Sequence, residues 1–281
     1  MGTPPLCFIV RRGQEKGVEK GAVRIKWDME TRASGPLVAF EKVSLLYQAP
    51  QGEMEALKDV SFSVREGEFV AIVGPSGCGK TTMLSLMMGL MTPTSGAVRY
   101  PAGKRPMGYM LQRDHLLEWR TVEKNVLLGL EVRHLLTAES RKKALELLKT
   151  YGLGEFAKFK PSQLSGGMRQ KAALIRTLAL EPEVLLLDEP FSALDYQTRL
   201  TLGDEVRTII KKERKTAVLV THDIGEAVSM ADRVLVFSGR PAMLREEVPL
   251  PFPEEMTPLQ RREAPLFQPC FKRIWASLTE A

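Results

Sequence analysis

Eight consecutive residues constrain this chain more than any others: Gly74-Pro75-Ser76-Gly77-Cys78-Gly79-Lys80-Thr81. They fit the pattern G-x-x-x-x-G-K-[ST] and follow Phe69–Val73, a short, wholly apolar run of the kind that forms a strand buried on both faces. Thr81 to Leu90 continues with helical character and no helix breaker before Gly89. Strand, glycine-rich loop and helix in that order make a phosphate cradle. The glycines let the backbone curl so that its N–H groups converge, and the positive end of the helix adds to the field. Lys80 is expected to reach the terminal phosphates of a nucleotide and the Thr81 hydroxyl to bind Mg²⁺. Gly74 through Thr82 are the candidate nucleotide-binding residues of this loop.

The rest of the composition narrows the class. A chain of 281 residues is long enough for one large domain or two small ones and needs no disulfides or structural metal to hold a core. Cys7, Cys78 and Cys270 are far apart, with no CxxC pair, so they form neither a disulfide framework nor a zinc site. No apolar stretch reaches the roughly 18 residues that a membrane helix requires. The short apolar run Leu6–Val10 precedes its arginines, the wrong order for a signal peptide, and Leu6 stands where a myristoylation signal has Ser or Thr. A net charge of +6 from 40 basic and 34 acidic residues is no nucleic-acid footprint.

Organisation follows from hydrophobic pattern. Residues 1–36 have scattered charges and no apolar period, and read as a flexible tail. Leu37–Tyr47 and Val60–Val64 alternate apolar and polar side chains as half-exposed strands do, with Ala49-Pro50-Gln51-Gly52 as the turn between them. Val122 to Tyr151 carries apolar positions at helical spacing, and Arg141-Lys142-Lys143 falls on what should be its solvated face. A further helix is expected over Ser165 to Leu180, and buried strands at Val184–Leu187, Ala217–Val220 and Val234–Phe237. Buried strands alternating with helices imply an α/β chain with a parallel sheet. The last forty residues are proline-rich and close with Phe271–Leu278, a candidate amphipathic helix.

Two further motifs carry chemistry. Asp188-Glu189 ends a buried strand, where a phosphate-loop protein places a metal-holding acid. Side chains alternate along a strand, so the two acids cannot share one role. Asp188 suits the magnesium shell, and Glu189 suits the polarising of an attacking water. Leu164-Ser165-Gly166-Gly167-Met168-Arg169-Gln170 is a second anion-binding helix start in a chain with a single phosphate loop. These residues resemble the signature of the ABC ATPase family, and the resemblance runs from about Leu37 to Arg240.

The resemblance implies a P-loop NTPase of the ABC cassette type: a mixed-sheet core, an antiparallel β subdomain and a helical subdomain near 113–163, followed by a C-terminal extension over 241–281. It assigns Tyr47 to stacking on adenine, Gln112 to Mg²⁺ and the attacking water, and His222 to the γ-phosphate. Ser192-Ala193-Leu194-Asp195 becomes the loop through which two subunits sense each other, Asp195 included among the nucleotide-site residues. Two such chains pack head to tail in this family, each ATP lying between the phosphate loop of one and Ser165-Gly166-Gly167 of the other. The implied partners are a second ATPase subunit, a homodimer in the simplest case, transmembrane permease subunits and, indirectly, an extracytoplasmic solute-binding protein. No nucleic acid is implied. The implied location is peripheral, on the cytoplasmic face of the cell membrane.

The segment from Gln112 to Val122, the run Leu187–Asp195 and the closing Phe271–Leu278 look like the nitrate/sulfonate/taurine importer branch, apart from Glu118, where many members have proline. Candidate solutes are an aliphatic sulfonate, taurine, nitrate, bicarbonate or a thiamine precursor. The alternative is an ABC ATPase serving lipid or lipoprotein extraction, or export, through a separate membrane subunit. A DNA-repair ABC ATPase is excluded by the separation of about 85 residues between Lys80 and Ser165, too short for a coiled coil. Cys78 stands at a helix start, where thiolate is favoured, and its alkylation is expected to block activity. Residues 1–28 hold six basic and three acidic residues, and Met29, just ahead of the resemblance, is the expected true start.

Overall fold

The computed structural model describes residues 35–49 and 52–279. The tail and the expected start at Met29 lie outside the described residues. Two sheets organise the rest. Strands β1 (Pro36–Ala49), β2 (Gly52–Arg65) and β4 (Ser95–Arg99) form an antiparallel sheet in the order β2-β1-β4. The second sheet runs β5-β6-β7-β3-β8-β9, from β3 (Phe69–Val73), β5 (Met107–Met110), β6 (Val184–Asp188), β7 (Thr216–Thr221), β8 (Arg233–Phe237) and β9 (Leu244–Pro249). Its first five strands are parallel, as the apolar runs implied, and β9 closes one edge antiparallel to β8. Every residue of β3, β6, β7 and β8 is buried, which is why these strands read as continuous hydrophobic runs.

Helix α1 (Lys80–Met88) follows the glycine loop and ends on Gly89, in the left-handed conformation that favours glycine at a helix end. The two sheets share one core: Phe40 stacks on Phe62 at 4.6 Å, and Phe62 meets Phe237 of β8 edge-on at 6.1 Å. A separate apolar cluster joins α2 (Val122–Val132), α3 (Ala138–Thr150) and α4 (Gly166–Leu178) through Val126, Leu130, Leu148, Ala172 and Ile175. The helical part therefore includes α4, beyond the expected limit at 163. The remaining helices are α5 (Tyr196–Lys212), α6 (Ile224–Met230), α7 (Pro258–Glu263) and α8 (Phe267–Thr279).

Several expectations need correction. The helix expected over 122–151 is two helices, because His134 is left-handed and Thr137 and Ser140 form a capping box that starts α3 afresh. Strand β2 begins at Gly52, eight residues before Val60, since the hairpin pairs all the way to its turn although Gly52 and Glu53 at its tip are exposed. Across residue 240 the main sheet continues: β9 pairs with β8, and α7 and α8 pack on α6, all of whose residues are buried. Helix α8 starts at Phe267, four residues ahead of Phe271, and carries Pro269 in its first turn, where a missing N–H does no harm.

Candidate active site

Four loops leave the carboxyl ends of neighbouring parallel strands on one edge of the sheet, the place where open α/β sheets hold ligands. They follow β3, β5, β6 and β7, and they bring Gly74–Thr82, Gln112, Asp188-Glu189 and His222 together.

The glycine loop is shaped by sterics. A Cβ at Gly74 would lie 2.9 Å from Cys78 Sγ and 3.3 Å from Phe237, and Gly77 and Gly79 have φ of +75° and +114°. Gly79 caps α1 without any side-chain hydrogen bond, so the first-turn N–H groups stay available to an anion. Pro75 and Ser76 are exposed at the rim. The buried Lys80 donates from Nζ to the carbonyls of Gly74 (2.9 Å) and Pro75 (3.0 Å), which holds its ammonium across the loop.

The adjacent acids divide: Asp188 ends β6, and Glu189 follows it outside the strand. Asp188 Oδ1 accepts from Thr81 Oγ1 at 3.2 Å and Oδ2 from the Tyr109 hydroxyl at 3.1 Å. Burial pushes the Asp188 carboxyl above its ordinary range, against the pull of Thr81 and Tyr109; burial and the nearby carboxylate likewise raise the Tyr109 phenol. Glu189 turns the other way: its Oε2 lies 3.1 Å from His222 Nδ1 and accepts from Gln112 Nε2 at 3.3 Å. Glu189 holds a positive φ of 44°, and its N–H donates to Val220 of β7 at 2.8 Å, which fixes the turn. Gln112 also donates to Ser192 Oγ at 3.2 Å, and that hydroxyl donates to the Glu189 carbonyl at 3.0 Å. Gln112 thus sits with Glu189, with no hydrogen bond to Thr81 or Asp188 among the described residues. Tyr47 stands beside α1, its hydroxyl 3.0 Å from Thr82 Oγ1.

A hydroxyl and a carboxylate oxygen meeting 3.2 Å apart at a phosphate-loop edge fit a hard divalent cation that takes its other ligands from phosphate and water. Among the described residues no group of three or more His, Cys, Asp or Glu gathers to hold a metal.

The second helix start stands apart. Ser165 accepts from Met168 N–H at 3.3 Å and caps α4, and Cβ atoms on Gly166 and Gly167 would reach 3.2 Å from Leu194 and 2.9 Å from Thr198. Asp195 caps α5, accepting from Thr198 N–H at 3.0 Å, and hydrogen bonding from the Thr198 side chain first and its backbone second holds the carboxyl below the ordinary range. Ser165, Gly166, Gly167 and Asp195 therefore form a group of their own, with no hydrogen bond to Gly74–Thr82 among the described residues.

One expectation is overturned. Cys78 is 1% exposed, and burial raises its thiol pKa more than Lys80 and the loop N–H groups lower it, so the helix start does not favour thiolate here. Three residues escaped sequence reasoning. Ser192 lies inside the run Ser192–Asp195 already noticed, and Tyr109 sits on β5, a strand of four residues too short to show a period. Arg240, whose Nη2 donates to the Gly77 carbonyl at 2.7 Å, is 163 residues away along the chain and gave no local signal.

The family model described as ABC transporter matches residues 57–192. The uncharacterized ABC transporter ATP-binding protein YtlC of Bacillus subtilis is 47% identical over 244 residues, spanning 85% of this chain and 94% of the relative. The nitrate import ATP-binding protein NrtD of Synechococcus elongatus is 38% identical over 245 residues, spanning 84% of this chain and 87% of the relative. A solved dimeric post-hydrolysis state of the ATP-binding cassette MJ0796, bound to ADP and Pi, aligns with a TM-score of 0.66 and 33% identity over 76% of this chain and 99% of that one.

Proposed function

Because the chain belongs to the ABC transporter ATP-binding family, we propose that this ATPase energises an importer of a small anion or organic solute through a separate permease. The observation that carries the reading is the division of labour at the sheet edge: Asp188 turns to Thr81, and Glu189 turns to Gln112 and His222.

Each residue then has a distinct role. Tyr47 stacks on the base, and the N–H groups of Gly74–Thr82 together with Lys80 surround the phosphates. Thr81 and Asp188 would hold Mg²⁺, with Gln112 approaching it from the Glu189 side; the ion supplies charge neutralisation on the phosphates when bound. Glu189 takes the proton of the attacking water, and Gln112 and His222 hold that carboxylate in place. Ser165, Gly166, Gly167 and Asp195 lie away from this loop and serve the nucleotide of a second copy packed head to tail. The dimeric arrangement of the MJ0796 cassette supports that reading.

In this proposal the ATPase unit begins near residue 37 and takes in β9, α7 and α8, and the helical part near 113–163 receives a permease. No helix among the described residues is long and apolar enough to cross a membrane, which suits a subunit peripheral to the cytoplasmic face. The import direction rests on relatives such as the nitrate import protein; nitrate, bicarbonate, taurine, an aliphatic sulfonate or a thiamine precursor are the candidate solutes.

Glu189→Gln keeps the shape of the side chain and removes the proton acceptor. Turnover should fall about 10²–10⁴-fold while ATP binding persists and a closed dimer accumulates; undiminished hydrolysis rules out Glu189 as the base. Native pull-down tests direction: a permease with an external solute-binding protein supports import, and a lipid-extraction subunit sinks it.

A further inference from the structure

The residues just after Gln112 are gripped by side chains of α4, while Asn125 of α2 holds the turn beyond them at Leu117 and Arg120. Arg169 forks onto Asp114, with Nε to Oδ2 at 2.9 Å and Nη2 to Oδ1 at 3.0 Å, and Nη2 reaches Glu118 Oε1 at 2.6 Å. Asp114 Oδ1 also accepts from the Leu116 N–H at 2.9 Å, so this carboxylate locks its own turn as well as the guanidinium. Seven residues along the same face of α4, Arg176 donates to the carbonyls of Asp114 (2.6 Å) and His115 (2.8 Å). Between the two arginines, Gln170 donates to the Gln112 carbonyl at 3.3 Å.

The other end of α4 is the exposed start at Ser165-Gly166-Gly167. Arg169 lies four residues from Ser165, about 6 Å along the helix axis, a distance over which an α-helix is stiff. One side chain thus joins the stretch carrying Gln112, which is bonded to Glu189, to the helix that starts at Ser165–Gly167.

We propose that Arg169 is a positioning residue that couples the two nucleotide contacts of one chain. When Gln112 moves on its own nucleotide, the fork on Asp114 and Glu118 carries α4 with it and aims Ser165–Gly167 at the nucleotide of the partner copy. The inference rests on the functional reading above and deepens it. It also accounts for Glu118, since a carboxylate at this position adds a third bond to the fork that an apolar residue lacks. Lysine cannot replace the fork, since it offers a point charge where the carboxylate accepts two parallel bonds.

The test uses the full chain, with Glu189→Gln as the parent so that a dimer accumulates. Arg169→Met, Arg169→Lys and Asp114→Asn are compared with that parent in two measurements. One is binding of a fluorescent ATP analogue to the dilute monomer, and the other is the ATP concentration that gives half-maximal dimer by light scattering. Coupling between sites is typically worth about 5- to 150-fold. Arg169→Met and Asp114→Asn should raise the half-dimerisation concentration within that range and leave monomer affinity within about two-fold, with Arg169→Lys intermediate; a merely structural role would weaken both measurements together. Since Arg169→Lys keeps the charge, it still decides the matter if Arg169→Met fails to fold. Dimerisation like the parent's in a folded Arg169 variant, or an equal loss in both measurements, overturns the inference alone. A parent that does not dimerise with ATP overturns the functional reading, and the inference with it.

Discussion

Ile274→Ala tests whether the C-terminal helix is part of the core. Helix α8 buries Phe267, Cys270 and Ile274, spaced as i, i+3 and i+7, against α6, β8 and β9. Ile274 is 0% exposed, while its neighbour Trp275, about 100° further round the helix, is 56% exposed. The substitution removes the equivalent of three methylenes at about 0.8 kcal/mol each, and the residual cavity brings the total to about 3–4 kcal/mol. For a domain of this size each kcal/mol moves the midpoint of thermal unfolding by about 2–4 °C, so a fall of roughly 6–16 °C is expected. Trp275→Ala is the control. Trp275 gives up a stacking contact with Phe271, 6.4 Å between ring centroids, and little burial, so about 1 kcal/mol or less is expected. Thermal and urea unfolding followed by circular dichroism would measure both. A cost below about 1 kcal/mol for Ile274→Ala, or an equal cost for Trp275→Ala, would refute the assignment of the buried face.

Three further outcomes follow from the site. With Cys7→Ser and Cys270→Ala removing the other thiols, Cys78 should react slowly with a disulfide reagent at pH 7 and faster as pH rises toward its elevated pKa; rapid labelling at pH 7 contradicts its burial. Arg240→Ala removes the donor to the Gly77 carbonyl, and for this exposed bond a loss of about 1 kcal/mol, roughly five-fold in nucleotide affinity, is expected by fluorescence titration; unchanged affinity shows that the loop needs no brace. Burial pushes the Asp114 carboxyl up, but Arg169 and the Leu116 N–H pull it below the ordinary 3.8, so its contribution to stability is present above that value and lost as pH falls through the lower folded pKa. The stability gap between the parent and Asp114→Asn should therefore be full at neutral pH and shrink on acidification below about pH 4; a gap that grows there reverses the sign of the argument.

Local chemistry decided what could be read in the sequence. The four fully buried strands announced themselves because both of their faces are covered, and the glycine loop because its backbone tolerates little else at Gly74, Gly77 and Gly79. Strands β4, β5 and β9 were illegible for the opposite reason. Ser95–Arg99 and Leu244–Pro249 lie on sheet edges, half-exposed and without strict alternation, and Met107–Met110 is too short to show a period. Only partners supplied from elsewhere in the chain make them strands. The boundary expected at Arg240 fails on the same ground. Proline-rich sequence after it suggested an appendage, whereas Arg261, 1% exposed, stacks on Phe252 and donates to the Ala231 carbonyl beneath the main sheet.

The site divides along a similar line. Alternation suggested separate roles for Asp188 and Glu189, and their hydrogen bonds do differ, but Glu189 lies past the end of β6 and is turned by its positive φ rather than by the strand. What alternation cannot give is the join between elements. Tyr109 is 79 residues from Asp188, Asp114 is 55 from Arg169 and Gly77 is 163 from Arg240, yet each pair is hydrogen-bonded. Motif reading finds the groups proposed to meet the nucleotide, since those have a fixed order and chemistry. The polar side chains that hold these groups to one another have neither, and in this chain they are arginines and a tyrosine whose roles only the packing of α4, β5 and the loop after β8 defines. If transport depends on moving Ser165–Gly167 as Gln112 responds, substitutions at Arg169 and Asp114 should disturb turnover more than their exposure or their distance from the phosphate loop would suggest.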